Sequence, residues 1–243
     1  MNRYFINSLI VILLFSCSNE KTLTFNTLEI ESEECPQCPE IAIAIPRASS
    51  SSNAATELNA YLSEWVIELL NYPEENTPET IEGAIVVFKN SYQELQDEFS
   101  EAVPWEVAVD GMVTYQSKRY VCIQLNSYIS TGGAHGYGAT HFLLFDARSG
   151  KPIKFNDLLT DKKGFISYAE IMFRQQENVP LNENINSTGF MFENDAFYLP
   201  ENIGLTDEGL VLQYNQYEIA SYADGQKMII LPYDKILSFI ELK

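Results

Sequence analysis

The chain has 243 residues, with 34 acidic against 15 basic side chains and a formal charge of −19. A surface of that sign repels nucleic acid and anionic lipid headgroups, which excludes a DNA- or RNA-binding role, and it steers basic partners inward. With 46% hydrophobic and 12% aromatic residues there is enough apolar material for a core, which excludes global disorder.

Arg3 precedes an uninterrupted apolar run, Leu9 to Phe15, that ends in Ser16-Cys17. The run is too short to span a bilayer and has the length of a signal-peptide core. Leu14 and Ser16 before Cys17 resemble a bacterial lipobox, which implies a lipoprotein signal peptide over 1–16 and acylation of the Cys17 thiol. Ordinary cleavage without lipid is the alternative. Residues 1–16 carry only Arg3, so processing leaves 14 basic against 34 acidic groups, or −20. Residues 17–39 are polar and acidic and read as a tether, followed by one domain over 40–243.

Within the tether, Cys35 and Cys38 form a C-x-x-C pair. Prolines follow both cysteines and a strand follows the pair. That is poor for a redox thiolate, which needs a helix N-terminus, and no further ligands for zinc lie nearby. A local disulfide in an oxidising compartment is the preferred reading, with redox chemistry as the alternative. Cys122, inside an apolar run, reads as a small buried hydrophobe.

The domain starts with a strand, Ile41 to Ile45, and a serine joint at 49–52. A helix is expected from Ala54 to Asn71, capped by Asn53, with Leu58, Tyr61, Leu62, Trp65, Leu69 and Leu70 on one face. A second helix starts at Thr77-Pro78, with Ile81, Ala84, Ile85, Phe88, Tyr92, Leu95 and Phe99 as its stripe. These make 40–103 a helical part. From Pro104 to the end the period turns to two and the chain is β-rich: Trp105 to Val109, Val113 to Tyr115, and Val121 to Leu125 after a hairpin at Ser117-Lys118. Strands are also expected at 141–145, 151–155, 196–199, 210–214 and 227–231. A third helix is read over 165–176, a loop with little to bury over 177–189, and a short terminal helix from Pro232 to Phe239. Helices first and strands after them predict an α+β fold, an antiparallel sheet packed against two to three long helices.

The chemistry-bearing residues are sparse. The only histidines, His135 and His141, flank a glycine-rich loop whose Thr131, Gly132, Gly133, His135 and Tyr137 form a candidate binding loop. An envelope hydrolase using His135, His141 and Asp146 is the catalytic alternative. No spacing supplies a third metal ligand and no nucleophile motif is present, so no catalytic or metal residue and no cofactor is assigned. Tyr217, Tyr222 and Tyr233 either form a sugar- or protein-binding patch or pack beneath the sheet.

Two separated stretches carry a family resemblance. Tyr128 to Gly136 with Phe145 to Lys151 and Asn156 to Leu159, and then Leu205 to Leu210 with Tyr217 to Gly225 and Leu231 to Tyr233, resemble the extracytoplasmic domain of RsiV-type anti-sigma factors, also found beside peptidoglycan deacetylase domains. The resemblance implies an α+β, non-catalytic, extracytoplasmic binding domain, and in RsiV that domain receives lysozyme. No sigma-binding segment, transmembrane stretch or deacetylase domain is read in this chain. The expectation is therefore a stand-alone lipoprotein of the bacterial envelope that binds lysozyme or another basic protein, or peptidoglycan. A purely structural lipoprotein is a further alternative.

Overall fold

The computed structural model describes residues 22–32, 35, 37–71 and 78–242. The expected signal peptide 1–16, the acylated Cys17 and the helix start at Thr77 lie outside them. Among the described residues no helix is long and apolar enough to cross a membrane.

The α+β class expected from the sequence is what the structure shows, with its strands divided between two sheets. The first contains β1 (Phe25–Glu31), β2 (Glu40–Ala48), β3 (Glu106–Gln116), β4 (Tyr120–Ser130) and β5 (Tyr137–Asp146), side by side in chain order. Three pairings are antiparallel, but β2 and β3 run parallel. A parallel pair needs a long crossover, and α1 (Asn53–Leu70) with α2 (Ile81–Glu98) supplies it. The division at 103/104 therefore falls inside one sheet. β1 corrects the tether reading of 17–39, because residues 25–31 are an edge strand in register with 42–48. Its alternation Phe25, Leu28, Ile30 is irregular and interrupted by polar residues, which hid it.

The helices sit on one face of this sheet. Leu58, Leu62, Val66 and Leu70 are fully buried at four-residue spacing, while Tyr61 and Trp65 flank them, partly exposed. Each such leucine contributes about 1.5–3 kcal/mol through burial. The caps differ from those expected. Ser52 Oγ accepts from Ala55 N–H at 3.2 Å, displacing Asn53, and Thr80 Oγ1 accepts from Gly83 N–H at 3.0 Å. Both sit in extended backbone immediately before the first helical residue, where a side-chain oxygen meets a free N–H. Phe99, placed on the stripe of α2, lies beyond the helix end and is exposed.

The opposite face of the sheet packs on a second core built by α3 (Lys162–Gln176), the sheet of β6 (Asn202–Leu205), β7 (Leu210–Tyr214) and β8 (Lys227–Leu231), and a terminal turn of helix, α4 (Tyr233–Ile236). β4 serves both cores. Val121, Ile123 and Leu125 face the helices, and Tyr120 and Cys122 face the second sheet. That double burial explains the unbroken apolar run there. Cys122 is free and fully buried, and its Sγ accepts the Leu205 N–H at 3.3 Å.

Other segments of the β-rich part also depart from the expectation. The stretch 196–199 is irregular and the strand lies at 202–205 instead, while 151–155 keeps only a bridge between Phe145 and Pro152. The loop 177–189, expected to bury little, inserts Val179 and Ile185 into the second core. Arg174 anchors it: Nη1 donates to Pro180 C=O at 2.9 Å and Glu183 C=O at 3.1 Å, while Nε donates to Glu170 at 2.9 Å. Ile171 faces solvent.

Candidate functional site

Residues 131–136 join β4 to β5. Gly132 adopts φ +83°, a left-handed conformation that side chains resist. Gly136 is buried against the Tyr128 ring, so that a Cβ there would lie 2.3 Å from the Tyr128 Cζ. The glycines thus shape the turn and clamp its end. Thr131 is half-buried, Gly132 and Gly133 are exposed, and the loop delivers His135 and Tyr137 to the surface.

His135 meets a second segment there. Its ring stacks on Tyr222 with centroids 4.2 Å apart, and Tyr217 lies 5.5 Å from Tyr222. His135 Nδ1 is 3.0 Å from Gly136 C=O, and its Nε2 is 3.3 Å from the Tyr217 hydroxyl. A carbonyl only accepts, so Nδ1 carries a proton; in the neutral ring Nε2 then accepts from the Tyr217 O–H. The Tyr222 hydroxyl also donates to Gly136 C=O, at 3.3 Å. Tyr217 has φ +67°, rare for a bulky residue, and the residue is 54% exposed. Backbone strain of this kind costs about 1–3 kcal/mol, and here it presents an aromatic face to solvent.

Beside this cluster lies a cleft of about 750 Å³, lined by Tyr137, His141 and Tyr217 and by the carboxylates of Glu193, Glu201 and Glu218. Burial raises the pKa of Glu218; the Asn215 N–H bonded to its Oε2 at 2.9 Å opposes that shift and nearby Glu201 adds to it. Burial lowers the pKa of His141, whose ring packs edge-on against Trp65 at 5.1 Å. Burial raises the Tyr137 phenol, with Glu218 adding to the shift.

The hydrolase constellation is not assembled. His135 lies in the turn and His141 on the β5 arm, opposite Leu125, so the two do not face each other across the hairpin, and each ring is committed to a different aromatic partner. Asp146 is five residues further along β5, roughly 16 Å at strand rise. Burial opposes its ionisation, but the Ser149 backbone and hydroxyl donors, the Arg148 N–H and the Arg148 charge outweigh burial and hold its pKa down. It is the cap of a turn. Among the described residues no group of three or more His, Cys, Asp or Glu is arranged to hold a metal ion.

Of the three tyrosines considered together, Tyr217 and Tyr222 meet, whereas Tyr233 packs near Tyr115 and donates to Thr206 C=O at 2.8 Å. Cys35 and Cys38 are joined by a disulfide, with Cα atoms 5.2 Å apart, before β2 begins. Sequence reasoning missed Glu218, Glu201, Asn202 and Asn215. Glu218 lies in a stretch that carries the family resemblance but was given no role, the other three carry no motif, and only the packing of the second sheet beside β5 brings them to the cleft.

Residues 156–234 match the model of a family described as a protein of unknown function, DUF3298, and residues 32–137 match the model described as Deacetylase PdaC. The cluster is built where these segments meet: His135 and Tyr137 belong to the PdaC-like segment, Tyr217 and Tyr222 to the DUF3298 segment. No curated protein matches the chain. A solved DUF3298 family protein from Pseudomonas aeruginosa PAO1 is similar at 22% identity and a TM-score of 0.66, over 91% of this chain and 96% of that one. A DUF3298 family member from Bacteroides fragilis NCTC 9343 is similar at 21% identity and a TM-score of 0.67, over 93% of this chain and 96% of that one. At these identities the likeness establishes a shared fold.

Proposed function

We propose that this chain is a lipid-anchored, extracytoplasmic binding protein of the bacterial envelope, held to the membrane through Cys17, and that it receives a basic protein such as lysozyme. The observation that carries the reading is the meeting of exposed rings with an acidic cleft. Tyr137 and Tyr217, 40% and 54% exposed, flank a depression containing Glu193, Glu201 and Glu218. Tyrosine offers large contact area at low entropic cost, and carboxylates beside it select cationic side chains. The resemblance to RsiV-type domains runs through both segments that build this surface. The surface is a receptor and not a catalytic centre. A cell-wall glycan is the second reading, favoured by the same exposed rings, which suit stacking on sugar faces.

The test is calorimetric titration of the full chain, in detergent, with hen lysozyme at physiological salt. Charges more than about 8 Å apart are largely screened under that condition. Saturable binding is expected, weakened about 30-fold in Tyr217→Ala, which corresponds to roughly 2 kcal/mol for an interface anchor. Absence of saturable binding both to lysozyme and to soluble peptidoglycan fragments overturns the proposal.

A further inference from the structure

β5 is the outer strand of the first sheet, and its even-numbered residues turn their N–H and C=O groups away from β4. Side chains plug most of that edge. Asn215 Oδ1 accepts from Thr140 N–H at 2.9 Å and Asn202 Oδ1 from Phe142 N–H at 2.8 Å. The amide nitrogens of both asparagines donate to Thr140 C=O, and Gln226 Nε2 donates to Gly138 C=O at 3.2 Å. At the far end Ile153 N–H donates to Leu144 C=O at 2.7 Å and Asp146 N–H to Lys151 C=O at 2.9 Å. Between these two plugs, Phe142 C=O and Leu144 N–H face the same way, and no hydrogen bond from the described residues reaches either.

This gap opens on a cleft of about 800 Å³ with an apolar lining that includes Ile153, Phe155, Ile166, Phe197, Leu199 and Ile203. Phe142, Leu143, Tyr198 and Glu201 also line the acidic cleft, so the two depressions run on from one another along the strand edge. An acceptor one residue before Leu143 and a donor one residue after it are satisfied together by the N–H and C=O of a single residue in a parallel strand. An antiparallel strand would reach the same two groups with two separate residues, each aiming its other main-chain group at Phe142 N–H or Leu144 C=O, which Asn202 and Ile153 already occupy, so the parallel direction is favoured.

The geometry points to a peptide-binding edge: an extended segment of the partner adds beside Leu143, parallel to β5, with an apolar side chain in the larger cleft and a Lys or Arg in the acidic one. Parallel direction sets the order. The N-terminal side of the peptide lies towards Tyr137 and His141, where Glu193, Glu201 and Glu218 gather, so the basic residue precedes the apolar one by about two residues at strand rise. Main-chain bonding supplies recognition without sequence, and the two clefts supply the selectivity. The inference rests on the receptor reading and narrows its ligand to an extended basic-then-apolar segment.

The probe is an acetylated, amidated hexapeptide with a lysine two residues before a phenylalanine, added to the full chain in detergent. Hydrogen exchange at the Leu144 amide is read by fragmentation mass spectrometry. At saturation that amide is expected to slow by at least about tenfold, because opening would then require peptide release. Backbone N-methylation of the peptide, reversal of the lysine and phenylalanine order, and Glu201→Gln in the protein should each weaken binding. No peptide binding, unchanged Leu144 exchange at saturation, or equal binding of the N-methylated peptide overturns the proposal. Lysozyme titration of the same sample separates the two ideas. Retained lysozyme binding with an unaffected Leu144 removes only the peptide edge, whereas loss of lysozyme and glycan binding removes the receptor reading.

Discussion

Asn202 is the side chain on which the junction between the two sheets can be tested quantitatively. It opens β6, yet its amide reaches across to β5, accepting from Phe142 N–H at 2.8 Å and donating to Thr140 C=O. Asn202→Ala leaves the Phe142 N–H without its partner and Thr140 C=O with Asn215 alone, 3.0 Å away. A partly buried donor left unmatched costs about 1–3 kcal/mol, and the second, replaceable bond adds about 0.5–1 kcal/mol. The expected loss is about 2–3 kcal/mol, a large share of a typical stability of roughly 5–15 kcal/mol. Equilibrium unfolding in urea reads it as a fall in midpoint of about 1 M, for a slope of roughly 2–3 kcal/mol per molar. Trp65 and Trp105 provide the fluorescence signal, and far-ultraviolet circular dichroism checks that one transition is followed. Asn202→Asp sharpens the test. Its carboxylate still accepts from Phe142 N–H but sets an anionic oxygen against Thr140 C=O, beside a cleft already holding Glu201 and Glu218. At pH 7 it should be at least as destabilised as the alanine variant, and it should recover as acid protonates the carboxyl and restores a donor. A midpoint for Asn202→Ala corresponding to less than about 0.5 kcal/mol of loss, or wild-type stability of Asn202→Asp at pH 7, would refute the reasoning.

Two further outcomes follow from burial. Glu218 has a folded-state pKa raised above its ordinary value by burial, with the Asn215 N–H opposing and Glu201 adding. A raised folded pKa gives stability that is fully present below the unfolded pKa and lost as pH rises through the folded one. Glu218→Gln should therefore raise the urea midpoint at pH 7 and match the parent below the carboxylate range; a lower midpoint at pH 7 would contradict this. Burial pushes the Cys122 thiol up to about 11, opposed by bonds from the Leu205 backbone and Thr114. At pH 8 it should resist a colorimetric thiol reagent in the native protein and react fully in denaturant, whereas prompt native labelling would show that the central strand opens.

Much of the helical layer was legible because its physics is local. Leu58, Leu62, Phe88 and Tyr92 follow a 3.6-residue period, and Tyr120 to Leu125 is apolar throughout because covers lie on both faces of one strand. Caps were less legible. Ser52 and Asn53 are adjacent and both are good cap residues, and only the chain's direction on entering the helix chose between them. β1 and β6 were missed for a related reason: Phe25–Glu31 is polar at alternate sites of an exposed edge, and Asn202–Leu205 is four residues long. The loop carrying Val179 and Ile185 looked unburied because Arg174, which organises it, precedes it on a helix.

The amino-acid order by itself determined the strong negative charge, the α+β class and the glycine hairpin that turns β4 into β5, since each depends on composition or on neighbours a few residues apart. Only the tertiary structure decided that His135 would meet Tyr217 and Tyr222, 82 and 87 positions away, and that His141 and Asp146 would not join it. It also decided that β5 would stop half-paired beside an apolar cleft. Such meetings depend on how a second sheet seats against the first, through the packing of Phe142 on Gly204 and the amides of Asn202 and Asn215. These contacts have no period or spacing along the chain, because the residues that make them are neighbours only once both cores have closed.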